Sequence, residues 1–258
     1  MFFLFSEIIY RPLYNLLVFV YNVVPFHDFG VAIILVTIII KLILAPLSKK
    51  QIESQKKIQE LQPKIKELQE KYKNDKEKQS RALMELYKTH KTNPFSGCLP
   101  LIFQLIFLIA LYQVFFNISQ NGLSIDGAIL YPFVSNPGAI GHYFLGLVDL
   151  SRSIDISHLG VSAIPNIILV LLAAGAQYFQ TKMLMPKPVA KKKGQEADMS
   201  QIMSQQMLYL GPLLTIFIGI KFPSGLALYW LASTVFAIIQ QKRLVSQEQR
   251  GLKKKDNR

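Results

Sequence analysis

The stretch FGVAIILVTIIIKLIL, residues 29–44, decides the reading of this chain. It is an apolar run close to the roughly 20 residues that a membrane-spanning helix needs. Lys41 interrupts it near one end. A charge in such a run costs roughly 2.5–3.5 kcal/mol at the least on insertion scales. That cost is tolerated when the ammonium faces a polar cavity inside a helix bundle, or when it snorkels to the headgroups. The residues alone leave both readings open.

Working outward, four further apolar runs reach or approach spanning length: Leu99–Ile118, Val161–Phe179, Met207–Ile220 and Leu226–Ile239. The 258 residues are 51% hydrophobic and carry a net charge of +13. A basic nucleic-acid binder spreads its charge along the chain. Here the charge sits in blocks between apolar runs, which is the pattern of a multi-span membrane protein. Cys98 is the sole cysteine, so no intrachain disulfide forms. The N-terminus, MFFLFSEIIYRPLYNLL, has no basic leader and no small-residue cleavage site, so it is not read as a cleaved signal peptide. No cysteine follows it to carry a lipid.

Lys and Arg counts set an expected orientation. Residues 48–93, 182–205 and 241–258 carry 13, 5 and 7 of them, whereas residues 1–28, 119–162 and the turn at Lys221 carry one each. Five spans place the rich segments on one face, so the positive-inside rule puts the N-terminus outside and the C-terminus in the cytoplasm.

The expected fold is all-α and polytopic. Residues 1–27 form an external amphipathic helix lying in the interface, with Ile8, Leu13, Leu16, Leu17 and Val20 at helical spacing and Glu7 and Arg11 interrupting. A sixth span is the competing reading. The five spans are residues 28–47, 95–118, 161–182, 206–220 and 226–241. Residues 119–160 and 221–225 are external connections. Pro100, Pro165 and Pro212 fall near the starts of runs, where a missing N–H is harmless. Residues 48–94 form a cytoplasmic helical hairpin. Its seam is Ile58, Leu61, Ile65, Leu68 and Tyr72, its turn is residues 73–76, and Leu83, Leu86 and His90 lie on the return helix. Residues 183–205 are a cytoplasmic loop and residues 242–258 a basic cytoplasmic tail, with disorder expected in the loop around Lys191, Lys192 and Lys193 and in the tail from Gly251 to Arg258, where Lys253, Lys254 and Lys255 cluster.

Polar residues inside the runs require partners. They are Gln104 and Gln113, Gln177 and Gln180, Thr215, and then Tyr229, Trp230, Ser233 and Thr234. Gln113 and Gln180 lie near run ends and suit the interface. The four histidines, at 27, 90, 142 and 158, lack metal-ligand spacing. No Ser–His–Asp or paired-carboxylate arrangement stands out, so neither an enzyme nor a cofactor is expected.

Three motifs then carry a resemblance. They are KLILAPLSKKQ (41–51) with LQPK (61–64), NPFSGCLPL (93–101) with Gln104 and ALY (110–112), and FPSGL (222–226) with YW (229–230) and IQQ (239–241). In order and spacing they resemble the core of the YidC/Oxa membrane insertases, from about Arg11 to Arg243. Lys41 stands where that family most often has Arg, keeping the charge but losing the planar fork. A proline often found beside Gln104 is missing. The extra span and large outer domain of some members, and the lipidated cysteine of others, are also missing, so a minimal five-span bacterial form is expected.

The resemblance implies a hydrophilic groove open to the cytoplasm and to lipid, with Lys41 as its charge. Gln104, Gln177, Trp230, Tyr229 and Thr215 would be its polar lining. Leu101, Leu105, Leu108, Leu213 and Phe217 would be the faces that meet a substrate helix. It implies nascent membrane proteins and the bilayer as partners, with the ribosome (through the basic tail) and the Sec translocon as further ones, in the bacterial plasma membrane. Packing between helices and plain lipid contact are the alternative roles for these polar and apolar groups. The rival from another class is a small transporter or anion channel with Lys41 as counter-charge, although the internal repeats common in transporters are not found.

Overall fold

The structure, a computed structural model, describes residues 2–93, 99–156, 160–185 and 199–256. It is all-α apart from one two-residue strand pair. The chain opens with α1 (Phe2–Phe5), a π-helical turn (Ser6–Tyr10) and α2 (Arg11–Val23), which run on from one another. Then α3 (Phe29–Ile43) starts at the N-cap Asp28, whose carboxylate accepts from the Val31 N–H at 3.0 Å. At Leu44 the chain bends by 67° into α4 (Ala45–Glu60), with Pro46 in its first turn, where proline loses no hydrogen bond. The fifteen residues of α3 span only ~22 Å at 1.5 Å each. Lys41 therefore lies within one turn of the bend.

Helix α5 (Gln62–Lys71) and α6 (Lys76–Thr89) form the hairpin. Leu61 and Ile65 of the seam are buried, Asp75 caps α6 through the Lys78 N–H, and Lys64 Nζ lies 3.5 Å from His90 Nε2. Helix α4 leads into the hairpin and meets the bundle, the Gln59 side-chain amide donating to the Leu184 carbonyl.

The long helices are α7 (Leu99–Gln120), α8 (Ile164–Leu184), α9 (Met199–Lys221) and α10 (Ser224–Asp256). Helix α10 is the axis of the bundle, packing on α3, α8, α9 and α7. Phe3–Val23, Ile102–Gln120 and Val161–Leu184 are long and apolar enough to cross a membrane, and the bent α3–α4 pair brings the number to four. The apolar part of α9, Leu208–Lys221, is shorter.

Two expectations are corrected. Pro212 lies inside α9 rather than at its start, because the polar residues from Met199 extend the helix beyond the apolar run. Its ring leaves the carbonyl one turn earlier without an intrahelical donor. The last helix does not stop at Gln241 but continues to Asp256, so most of the basic tail is helical rather than disordered. The Lys191–Lys193 cluster and much of the 93–101 motif lie outside the described residues.

At the other end of the bundle, residues 121–156 and 160–163 fold back over the helix ends. They include β1 (Tyr143–Phe144) and β2 (Val148–Asp149), paired antiparallel, an element that two-residue strands could not announce by periodicity. The first N–H groups of α10 have no partner within the helix. The loop supplies them: Ser224 N–H donates to Arg152 O at 3.0 Å and Gly225 N–H to Leu150 O at 3.1 Å. Asn166 Nδ2 donates to both Asp149 O and Ser224 Oγ at 2.7 Å. The largest buried cluster runs from Leu13, Tyr14 and Leu17 of α2 through Ile33 and Val114 to Leu226–Trp230.

Candidate functional site

Lys41 does not turn away from the bundle. Its Nζ donates to Gln104 Oε1 of α7 at 3.5 Å. The same oxygen accepts from Ser233 Oγ of α10 at 2.9 Å. Lysine only donates, so the amide oxygen must face it. Gln104 Nε2 then points the other way, buried and with no protein partner. A buried donor left unpaired costs about 1–3 kcal/mol. Among the described residues, none of the ion pairs includes Lys41.

A second amide repeats the arrangement across α10. Gln177 Oε1 of α8 accepts from Trp230 Nε1 at 3.0 Å and Thr234 Oγ1 at 3.3 Å. Gly211 of α9 lies beside this side chain, where an added Cβ would make ordinary van der Waals contact with Gln177 at 3.4 Å. Trp230, Ser233 and Thr234 recur at i, i+3 and i+4, which sets them along one side of α10. Tyr229 is fully packed one turn before Ser233. Thus α10 presents a buried polar strip, with one glutamine on each flank and Lys41 beyond the first.

The structure brings Lys41, Gln104, Gln177 and Trp230 into this one polar system, with Tyr229 packed beside it. Thr215 is buried but donates to Gly211 O of its own helix at 3.0 Å, so it joins neither amide. Ser233 and Thr234, named in the sequence only among the polar residues of the run, are the groups that bind the two amides to α10. Their i+3 and i+4 spacing from Trp230 was the available signal.

The apolar faces divide. Leu105, Leu213 and Phe217 are exposed, whereas Leu108 is only 8% exposed and belongs to the core. The side chain of Leu101 lies outside the described residues. Ile102, Ile109, Tyr112 and Phe116 share the exposed stripe of Leu105, stepping by three and four residues. Tyr209, Leu210 and Leu214 extend that of α9. Among the described residues no group of three or more His, Cys, Asp or Glu is placed to hold a metal.

Comparison with known proteins matches residues 19–250 to the family described as "60Kd inner membrane protein". A protein of Fusobacterium nucleatum named "Membrane protein insertase YidC" is 33% identical over 235 residues, 90% of this chain and 95% of that one. Proteins of the same name are similar in Magnetococcus marinus, at 36% identity over 231 residues, and in Geobacter metallireducens, at 33% over 232 residues. The chain spans 34% of the former's length and 35% of the latter's.

Proposed function

The chain belongs to the YidC/Oxa family, and from that premise we propose that it is a membrane protein insertase and chaperone, moving polar segments of nascent membrane proteins into the bilayer along the strip that Lys41 begins. It is a multi-pass protein of the bacterial inner membrane. The work asks for no bond chemistry. It requires lowering the barrier that about 30 Å of hydrocarbon presents to a polar tail. Hydrogen-bonding groups held partway into the bundle do that, because each polar group of the tail exchanges water for a protein partner.

The observation that carries this reading is the hydrogen bond from Lys41 to Gln104. A snorkelling lysine would direct its ammonium out to the headgroups. This one is turned into the bundle, with no carboxylate among the described residues to neutralise it. Such a charge attracts an acidic residue passing close by, by roughly 4 kcal/mol at 4 Å in a medium of intermediate dielectric. The exposed stripes of α7 (Ile102, Leu105, Ile109) and α9 (Leu210, Leu213, Phe217) flank α10, and we assign them to the emerging apolar helix of the substrate. Leu108, buried, is assigned to the core.

The proposed topology has five spans, in α3, α7, α8, α9 and α10, with the N-terminus outside, the hairpin and C-terminus in the cytoplasm, and α2 flat in the outer interface. Supporting the flat α2 is a row of bonds to one loop. Arg11 and Asn15 donate to Ile129 O, Asn15 Oδ1 accepts from Tyr131 N–H, and Tyr14 Oη accepts from Asp126 N–H. Farther along, Tyr21 Oη accepts from Gly141 N–H and Asn22 donates to Ser135 O. A loop that follows a helix over eleven residues, ~16 Å, lies alongside it rather than at its tip. The ribosome, through the basic end of α10, and the Sec translocon are the further partners that we propose. Depleting the protein from its host and following small single-span membrane proteins tests the function. Unchanged insertion of all of them would sink it.

A further inference from the structure

We propose that Phe26 and the tip of the β1–β2 hairpin, Leu145 and Leu147, form an apolar foot that inserts into the lipid layer beside the N-terminus of α3. The first observation is the backbone. Five non-glycine residues have positive φ among the described residues, and three of them meet here: Phe26 (φ 63°), His27 (φ 49°) and Leu145 (φ 52°). A bulky side chain in the left-handed region is an outlier, and an outlier held in place is a reason to ask what it serves. Asn, Asp or Gly would occupy these positions more easily. With Gly146 (φ 70°), Leu145 forms the centre of a turn closed by the Leu147 N–H on Phe144 O at 3.0 Å, inside the three-residue loop between the paired Phe144 and Val148, and the first central position of such a turn ordinarily favours Asn or Asp.

The second observation is what holds them. Asp28 uses both carboxylate oxygens, one on the Val31 N–H at 3.0 Å and the other on the Leu145 N–H at 2.7 Å. One side chain thus caps α3 and fastens the hairpin tip to it. Below, the Phe144 ring lies on Gly30 so closely that an added Cβ would come within 2.3 Å of it. Phe144 points in and Tyr143, the residue before it in the strand, points out, as successive strand residues must. The His27 ring packs edge-on against Tyr21 at 5.6 Å, leaving Phe26 directed outward. The result is Phe26 at 98% exposure, Leu147 at 67% and Leu145 at 65%, with Tyr143 half exposed beside them.

The occupant is lipid, for reasons of continuity. The foot adjoins Val23 and Phe19, the exposed apolar side of α2, and stands at the first residue of α3, whose own exposed face begins at Leu35. A helix that enters the bilayer starts at the interface, and apolar and aromatic side chains gathered there enter the headgroup–acyl boundary. Water offers these residues nothing that would offset the left-handed backbone, whereas the acyl chains do.

Nitroxide labels at Phe26→Cys, Leu145→Cys and Leu147→Cys, each in the full chain carrying Cys98→Ser, test this in nanodiscs of phosphatidylcholine and phosphatidylglycerol with no other protein. Ser135→Cys is the aqueous reference. Collision rates with oxygen and with a water-soluble nickel chelate give depth. All three sites should be oxygen-accessible and several-fold less nickel-accessible than residue 135. Nickel accessibility equal to that of residue 135 at any of the three overturns the foot, and leaves a protein partner as the alternative occupant of an exposed patch. The outcome does not depend on insertase activity.

Discussion

The two ends of the bundle are built on opposite terms. At the loop end, chain ends and turns interlock. The first donors of α10 are capped by a distant loop, Gly225 lies against the Phe115 ring, and Gly30 against Phe144. At the Lys41 end, α3 breaks off short, α4 meets the bundle through a side-chain amide, and hydrogen-bonding capacity is left over. Among the described residues, the buried side-chain atoms without partners are Gln51 Nε2, Gln69 Oε1 and Gln104 Nε2, all at or beyond the Lys41 level. Among the described residues, the loop end leaves none of its buried side-chain polar atoms unpaired, and the other end holds these three in reserve. A protein that must admit a foreign chain at one face while staying folded has reason to divide its structure this way.

Substitution at the loop end should therefore break the fold first. Gly225→Val places a Cβ 2.0 Å from the Phe115 ring, which is itself buried in the core and has little room to yield. Overpacking of that kind costs about 1–3 kcal/mol, and more where neither side can move. Thermal unfolding in detergent should show a large loss, while Gly175→Ala, which meets nothing within 4 Å, should be neutral or slightly stabilising. Asn166→Ala removes the donor to Asp149 O and to Ser224 Oγ, leaving that hydroxyl only its bond to Arg152 O, and should cost about 1–3 kcal/mol on the same assay. If Gly225→Val unfolds with the parent, the loop end is not the rigid part.

The hairpin should separate activity from stability of the bundle. Proline at Ile65, a buried seam position in α5, removes a helical hydrogen bond at a local cost of about 3 kcal/mol. Insertion should fall, yet unfolding of the bundle should stay near the parent's, because few contacts join the two. Lys66→Ala, on the surface, should be silent in both assays. A Lys66→Ala variant with no insertion would mean that a single surface charge, not the fold of the hairpin, matters.

How much of this was legible follows the same division. The charge in an apolar run, the glutamines and the Trp230 spacing are local patterns, so the polar strip could be read residue by residue. What was not legible depends on approach between distant segments. Leu108 has the same chemistry as Leu105, and only the position of the core separates them. Thr215 looks like a lining residue until its hydroxyl turns back to Gly211. Pro212 fell near the start of an apolar run, but a helix begins before its apolar run when the preceding polar residues have fair propensity, as from Met199 here. The loop end was almost silent, because backbone-to-backbone bonds leave no trace in side-chain patterning.

Lys41 probes the open end directly. Lys41→Arg should retain insertion, since charge and donors persist. Lys41→Ala should lose about tenfold for substrates with acidic tails, equivalent to about 1.4 kcal/mol, and less for matched neutral tails. Lys41→Glu should be worst for acidic tails, attraction having become repulsion. Abundance of each variant is measured alongside, because an anchoring role would lower protein level without regard to tail charge. Equal losses for both tails would remove the electrostatic mechanism while leaving the insertase proposal standing.

The smallest effect is the most telling about the comparison. Gln104→Leu deletes the buried amide together with its unpaired Nε2 donor. Removing an unsatisfied group returns some stability, and leaving Lys41 and Ser233 without their shared acceptor takes some away. The net change in unfolding should stay within about 1 kcal/mol of zero, in either direction. That differs from Asn166→Ala, also the loss of one amide, because every hydrogen bond of Asn166 is internal to the fold. Insertion should nevertheless fall a few-fold, for acidic and neutral tails alike, since the lost donor serves any carbonyl that passes. A Gln104→Leu protein destabilised as much as Asn166→Ala would mean that Gln104 is a structural pin like its counterpart, and that the Lys41 end holds nothing in reserve.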